Sequence, residues 1–177
     1  MIKISSNDKF TNIVFKSLFH QKNLQNLAVK DQIYLYTLDI LKTDTSIEFF
    51  INQKQKIQYK IPVNFNLIFL KIMEELSSNF IDILNMNYYP LKNYIYYNSY
   101  YSQLSEIQNL ILLHLSLNLK NGIYKEELSQ IIWPKDKNIS INKLDTHLTN
   151  LKNQIAKDLN FNLKFSSKSS LLKLVID

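Results

Sequence analysis

The order of hydrophobic and polar positions predicts a small unit of strands and helices in roughly the first 75 residues. Ile2 and Ile4 alternate with polar neighbours, which is typical of a strand, and the polar residues after them can cap a helix. The apolar face of that helix is expected at Phe10, Ile13, Val14, Ser17 and Leu18. Further along, the pattern predicts a strand buried on both faces at 33–40, a short strand at 47–51 and a helix at 65–76.

From residue 80 onward, the pattern changes to an antiparallel sheet, then helices, then a terminal hairpin. The sheet is expected to consist of a strand from residue 81, a turn at 88–93 and a hairpin of 94–97 with 100–101. The helices are expected from a Ser105 cap to a stop at Gly122, at 125–132 and at 140–159. The terminal hairpin is expected to pair strands at 162–165 and 171–175 around a turn at 166–170. The polar run Ser77-Ser78-Asn79 is the expected boundary between the two parts.

Composition restricts the class of protein. With 46% hydrophobic and 20% charged residues, the chain has the balance of a folded globular protein of one or two domains. The absence of Cys excludes disulfides, thiolate metal sites and a cysteine nucleophile. No apolar run reaches the roughly 18 residues of a membrane span, and the start lacks the apolar stretch of a signal peptide. These features lead us to expect a soluble, cytoplasmic protein.

The charge balance favours an anionic partner over catalysis. The net charge is +6 and the pI is near 9.3, and every basic residue counted in it is Lys, because the chain contains no Arg. A single Gly makes a glycine-rich phosphate loop impossible, and the three His are far apart in sequence. We therefore expect no enzymatic activity, no catalytic or metal-binding residues and no cofactor. His114, on an apolar helical stripe, is interpreted as a buried structural side chain.

The helix expected at 140–159 has the clearest functional pattern. On a helical wheel, its apolar residues fall within an arc of about 80°. They are Ile141, Leu144, Leu148, Leu151, Ile155 and Leu159. The opposite face carries short hydrogen-bonding side chains and no acid at its centre. From residue 135 to residue 173 there are eight Lys and three Asp, so this region holds most of the net positive charge.

Such a face has the chemistry of a DNA-reading surface. Asn can pair with the N6 and N7 edge of adenine, Thr can touch a thymine methyl group, and Lys neutralises phosphates. A solvated helix face in a protein of Asn- and Lys-rich composition explains the same pattern about equally well. The order of three helices and a hairpin favours the first interpretation, because it is the order of a winged helix, whose last helix reads DNA.

At this point the residues resemble the DNA-binding domain of OmpR/PhoB-type response regulators. The stretch 104–108 (LSEIQ) resembles the family's Leu-Thr-x-x-Glu, and 123–133 (IYKEELSQIIW) resembles Val-Ser-Arg-Glu-Glu-Leu ending in Val-Trp. The stretch 140–154 (SINKLDTHLTNLKNQ) is similar, without a gap, to Ser-x-Arg-Thr-Val-Asp-Val-His-Ile-x-Arg-Leu-Arg-Lys-Lys. The sheet expected at 80–103 matches the one that opens the family's effector domain.

The exposed face of the reading helix 140–157 and the residues near it supply the predicted DNA contacts. The residues expected to read bases are Asn142, Thr146, Thr149, Asn150 and Asn153. Those expected to contact phosphates are Lys143, His147, Lys152, Lys157, Lys164 and Lys168. Asn142 and Asn150 stand where the family has Arg, and 167–171 replaces the family's Arg-Gly-x-Gly-Tyr wing, so fewer cations are available. The polar loop 134–139 matches a segment that in the family is implicated in touching RNA polymerase.

The first part resembles that family's receiver domain in a reduced, degenerate form. The acidic pair that holds Mg²⁺ in the family aligns with Ser6-Asn7. The family's phosphoacceptor aspartate aligns with Tyr36, with Asp39 nearby, and the family's Lys-Pro-Phe is replaced by 61–63 (IPV). Mg²⁺-assisted phosphoryl chemistry needs carboxylate ligands and a balancing Lys. We therefore expect no phosphorylation. A patch around 65–72 is a candidate surface for a homodimer, although packing into the core is the more ordinary explanation.

The sequence thus predicts an α+β protein of two domains. Residues 1–77 form a small α/β receiver-like unit, and 80–177 form a winged helix-turn-helix domain with an N-terminal antiparallel sheet and a C-terminal hairpin. We predict a response regulator-like protein related to two-component systems that binds double-stranded DNA and regulates transcription without phosphorylation. The alternative is a winged-helix interaction module that docks RNA polymerase or another protein without binding DNA. Binding that is steeply salt-dependent and lost on changing 142–153 distinguishes the first from the second.

Overall fold

A computed structural model describes residues 2–21, 36–136 and 141–175, and the chain divides into two units, Met1–Ser78 and Asn79–Asp177. The first unit contains four strands and two helices in its described part. They are β1 (Ile2–Ser6), α1 (Lys9–Gln21), β2 (Tyr36–Lys42), β3 (Ser46–Ile51), β4 (Lys54–Lys60) and α2 (Phe65–Ser77). The predicted strand residues 33–35 lie outside the described part.

The sheet of the first unit has the order β1-β2-β3-β4. Only β1 and β2 are parallel, and the other two pairs are antiparallel. This order does not confirm the receiver-like unit, because a doubly wound domain is built mainly on parallel strands. β4 was not predicted, since its alternating Lys and Gln residues give a weak apolar signal.

One face of this sheet is buried and the other is polar. Tyr36, Leu38 and Ile40 of β2 are buried, while Thr37 and Asp39 between them are half-buried. The prediction of a strand buried on both faces is therefore wrong over 36–40. β2 pairs with the antiparallel strand β3, and antiparallel sheets can leave one face open to solvent.

The predicted apolar face of α1 is also wrong. Asp8 caps this helix by accepting hydrogen bonds from the Thr11 backbone N–H (2.8 Å) and hydroxyl (2.6 Å). Thr11, Phe15 and Phe19 are fully buried, whereas Phe10 and Ile13 are 63% and 58% exposed. Both sets of positions have helical spacing. The side of α1 that faces the core is determined by Phe15 and Phe19, because their rings pack edge-on against rings of β3 and α2.

The second unit opens with a four-stranded antiparallel sheet. Its strands are β5 (Ile81–Ile83), β6 (Met86–Tyr89), β7 (Tyr94–Tyr97) and β8 (Tyr100–Gln103), paired in chain order. The expected hairpin of β7 and β8 is confirmed, with Asn98 in its turn at φ 53°. The turn expected at 88–93 begins later, because Tyr88 belongs to β6 and is buried, where its hydroxyl donates to the Asn109 carbonyl oxygen at 2.8 Å.

Three helices and a small sheet follow. They are α3 (Glu106–Leu117), β9 (Ile123–Tyr124), α4 (Lys125–Ile132), α5 (Ile141–Leu159), β10 (Phe165–Lys168) and β11 (Leu171–Leu174). The three strands pair antiparallel in the order β10-β11-β9. The terminal turn is shorter than predicted, because β10 continues to Lys168 and leaves only Ser169 and Ser170, both at positive φ, between the strands.

Specific residues set the bounds of these elements. Ser105 and Gln108 form a capping box at the start of α3, as the predicted Ser105 cap requires. α3 ends at Leu117, five residues before the predicted stop at Gly122. Gly122, at φ 78°, instead allows β9 to approach β11, since a Cβ atom there would lie 2.9 Å from the Leu172 carbonyl oxygen. Within the described ranges, no helix is long and apolar enough to cross a bilayer.

Candidate nucleic-acid interface

The helix α5 divides into a buried stripe and an exposed face, as its sequence predicts. Its buried residues are Leu144, Leu148, Leu151, Ile155 and Leu159. Its exposed residues include Asn142, Lys143, Thr146, Thr149, Asn150, Lys152, Asn153 and Lys157. His147 is half-buried, and the side chain of Ile141, like the predicted Ser140 cap, lies outside the described part. Every predicted contact residue on this helix is therefore at least partly accessible.

The amide side chains on this face are available to a ligand. Asn142, Asn150 and Asn153 are exposed, and the described part of the chain offers their amides no hydrogen-bond partner. The hydroxyls of Thr146 and Thr149 donate to backbone carbonyl oxygens one turn earlier, each at 2.9 Å. Since those protons are engaged, the two Thr side chains offer a methyl group and an acceptor oxygen to a partner.

The acid on the flank of this face is neutralised locally. Asp145 accepts from the Lys125 ammonium group at 2.6 Å, and the Lys125 side chain is only 16% exposed. This ion pair joins the start of α4 to α5. It also removes the nearest negative charge from the path of an approaching anion.

A cluster around Trp133 involves two of the predicted phosphate contacts. The Lys143 ammonium group lies 4.5 Å from the Trp133 ring centroid and 3.4 Å from the Asp136 carboxylate. The His147 ring lies 5.5 Å from the same Trp133 ring. The positive charge of Lys143 is thus partly balanced within the protein, unlike that of Lys152 or Lys157, which have no ion-pair partner in the described part.

A cleft of about 290 Å³ separates α5 from the terminal hairpin. Its lining residues are Lys125, Asp145, Leu148, Thr149, Lys152, Phe165, Ser167 and Leu172. Lys152 and Thr149 therefore open onto the same cleft as the hairpin. Lys164 and Lys168 are exposed beside and at the end of β10, but neither lines this cleft.

Sequence reasoning missed Lys125 and Ser167 as residues of this surface. The signal for Lys125 was present, because Lys125 stands at the Arg of the Val-Ser-Arg-Glu-Glu-Leu motif. The sequence places Ser167 only at the start of the wing tract 167–171, and its place in the cleft depends on β10 extending through the residues predicted as a turn.

The residues aligned with a phosphorylation site occupy a different setting. The Ser5 hydroxyl donates a hydrogen bond to the Asp39 carboxylate on the neighbouring strand. Tyr36 begins β2 and is buried, and this burial raises the pKa of Tyr36 to about 12. In the described part of the chain, no three His, Asp or Glu side chains are grouped to hold a metal ion.

The second unit has the architecture of a winged helix. A helix, a short strand, two helices and a hairpin follow one another, and the three strands form one antiparallel sheet. No protein-family profile matches the chain, and no curated protein sequence does. Among solved structures, the DNA-binding domain of E. coli CadC is similar, with a TM-score of 0.44 and 15% sequence identity over 52% of this chain and 87% of that one.

Proposed function

We propose that this protein binds double-stranded DNA and regulates transcription, with α5 as the helix that enters the major groove. The observation that carries this proposal is the exposed face of α5. It combines two Thr methyl groups and three Asn amides, which have no hydrogen-bond partner in the described part of the chain, with flanking Lys side chains. Asp145 on its flank is already ion-paired with Lys125. Asn amides suit adenine edges, Thr methyl groups suit thymine, and each Lys that meets a phosphate releases a counterion.

Fluorescence anisotropy of a labelled, AT-rich duplex of about 30 bp tests this proposal. The double variant Asn150→Ala with Lys152→Ala removes one base-reading amide and one cation from the face. A matched control, Asn87→Ala with Lys92→Ala, removes the same groups from exposed positions on and beside the β5–β8 sheet. We expect the first variant to bind at least tenfold more weakly and the control to bind like the wild type. Equal weakening of both variants would contradict a specific role for α5.

The alternative function is docking of RNA polymerase or another protein by a winged helix that does not bind DNA. Two features favour it: the helix carries no Arg, and the charge of Lys143 is shared with Asp136. The loop that would contact the polymerase begins at Pro134, and its residues 137–139 lie outside the described part. Weak DNA binding that is unchanged by both double variants is the outcome that supports this alternative.

We further propose that the protein acts without phosphorylation and without catalytic activity of its own. A buried Tyr36 cannot accept a phosphoryl group as an aspartate does, and Asp39 is held by Ser5 within the sheet. Incubation with acetyl phosphate and Mg²⁺, followed by mass spectrometry, is expected to leave every Asp unmodified. A phosphorylated Asp39 would refute this part of the proposal.

A homodimer through the first unit is the last component of the proposal. Within the patch predicted at 65–72, Ile68, Phe69 and Ile72 pack into the core, whereas Leu67 and Leu70 are 62% and 61% exposed. Exposed apolar groups of this size are typical of contact surfaces. Light scattering is expected to report a dimer that Leu67→Gln with Leu70→Gln converts to a monomer. A wild-type monomer at high concentration would exclude the dimer.

A further inference from the structure

A chain of polar side chains connects the second half of α5 to two other elements of its unit. The Gln108 side chain of α3 donates to the Gln154 amide oxygen at 2.8 Å. The Gln154 amide nitrogen then donates to the Ser102 hydroxyl at 3.0 Å and to the Gln103 carbonyl oxygen at 2.6 Å. The Ser102 hydroxyl donates in turn to the Asp158 carboxylate at 2.7 Å. α5 is thereby joined to both α3 and β8.

Gln108, at the start of this series of hydrogen bonds, is itself held in place. The Gln108 side-chain oxygen accepts from the Ser105 backbone N–H at 2.8 Å, which is one half of the capping box of α3. Gln108 is 7% exposed and Ser102 is 1% exposed, so both bond in a largely water-excluded setting. Hydrogen bonds there are directional, and leaving one of their polar groups without a partner costs free energy.

Position on the helix shows what these bonds control. Successive residues turn by about 100°, so Asp145 lies on one flank of the buried stripe, while Gln154 and Asp158 lie on the other. Asp145 is bonded to Lys125 of α4, and Gln154 to α3 and β8. The stripe between these flanks is aliphatic, and aliphatic packing is non-directional. Polar bonds on opposite flanks therefore resist rotation of α5 in either direction.

We infer that Gln154 is a positioning residue, which fixes the rotation of α5 about its axis and so determines which side chains face a bound duplex. Gln154 itself is half-buried and takes no part in the exposed face. This inference rests on the proposed DNA-binding function. A small rotation moves Asn150 and Asn153 relative to base edges, and paired hydrogen bonds to a base tolerate little displacement.

Gln154→Leu removes the bonds while keeping the side-chain size, and Gln58→Leu is the matched control. Gln58 lies in the first unit, where it donates one exposed hydrogen bond to Glu48. Because the chain has no Cys, spin labels can be attached at Asn87→Cys and Asn150→Cys, both exposed, and their distance distribution measured by pulsed EPR. We expect a broader or shifted distribution for Gln154→Leu and an unchanged one for Gln58→Leu.

The second measurement is the ability of each protein to discriminate between DNA sequences. It uses proteins without the spin-label cysteines, at a temperature at which circular dichroism shows that every variant is folded. The affinity for a duplex selected from a random pool is divided by the affinity for the same duplex shuffled. We expect Gln154→Leu to lower this ratio about tenfold, the effect of one lost base contact, with the salt dependence unchanged.

An unchanged distance distribution, or an unchanged ratio despite a changed distribution, would overturn the inference. Wild-type protein that binds no duplex would instead refute the proposed function, and the inference with it. The two failures are therefore distinguishable.

Discussion

His114 shows how one buried side chain contributes to the response of the protein to acid. The side chain is 1% exposed in α3, and its Nε2 atom has no hydrogen-bond partner in the described part of the chain. Burial lowers the pKa of His114 from 6.5 to about 4, because a charged imidazolium loses its hydration there. The folded protein thus keeps His114 neutral over a pH range in which the unfolded chain binds a proton.

Acidification is therefore expected to destabilise the fold through His114. Between pH 6.5 and 4 the unfolded state binds more protons than the folded state, so the free energy of unfolding falls as the pH falls. We expect the wild type to lose about 2–3 kcal/mol more than His114→Leu between pH 7 and pH 4.5, measured by urea unfolding. The carboxylates contribute equally to both proteins. Parallel pH profiles would contradict the assignment of this effect to His114.

Tight turns without glycine are a feature of this chain at the scale of its elements. Asn52-Gln53, Leu84-Asn85 and Ser169-Ser170 each place two consecutive residues at positive φ between antiparallel strands. Such turns normally contain Gly, because other residues pay a steric cost in this conformation. The only Gly of the chain, Gly122, is used where β9 meets β11.

Replacing Ser170 with Gly is expected to stabilise the terminal hairpin. Ser170 has φ 64°, and relief of the steric cost should raise the free energy of unfolding by about 0.5–1 kcal/mol. Its backbone carbonyl, which accepts from the Lys125 N–H at 2.9 Å, is unaffected by the change. Ser166→Gly, in the middle of β10, is the control and should be destabilising by a similar amount. Chemical denaturation measures both, and destabilisation by Ser170→Gly would contradict the turn geometry.

The elements differ in how far their sequences predict them. α4 and the face of α5 were predicted correctly, since a strong period of apolar residues acts locally. The phase of α1 was not, because two helical stripes compete and only the rings of β3 and α2 select between them. β9, two residues long, exists only because β11 lies beside it.

The same distinction applies to the candidate site. The exposure of Asn150 and Lys152 follows from helical periodicity alone. The pairing of Asp145 with Lys125, 20 residues away, and of Gln154 with Ser102, 52 residues away, could not be predicted, because each depends on how distant elements pack. Sequence therefore identifies the exposed polar face of α5, while the structure adds the bonds that hold this helix in place.

At the scale of the whole molecule, charge and its placement support a single account. The net charge of +6 is concentrated in the C-terminal third, on and around the helix whose exposed amides have no hydrogen-bond partner among the residues that the structure describes. The first unit offers exposed apolar residues on α1 and α2, which suit a protein contact rather than DNA. We therefore expect the two units to have separate roles: the first associates with a second copy of the protein, and the second binds DNA.

The salt dependence of DNA binding by the intact protein tests the central claim most directly. Anisotropy titrations of a duplex from about 50 to 200 mM salt report the number of phosphates neutralised, because each contributes about −0.9 to the log–log slope. With four or five of the Lys residues on and around α5 engaged, we predict a slope of about −4. A slope near zero, or no binding at the lowest salt, would contradict the assignment of α5 as a DNA-reading helix.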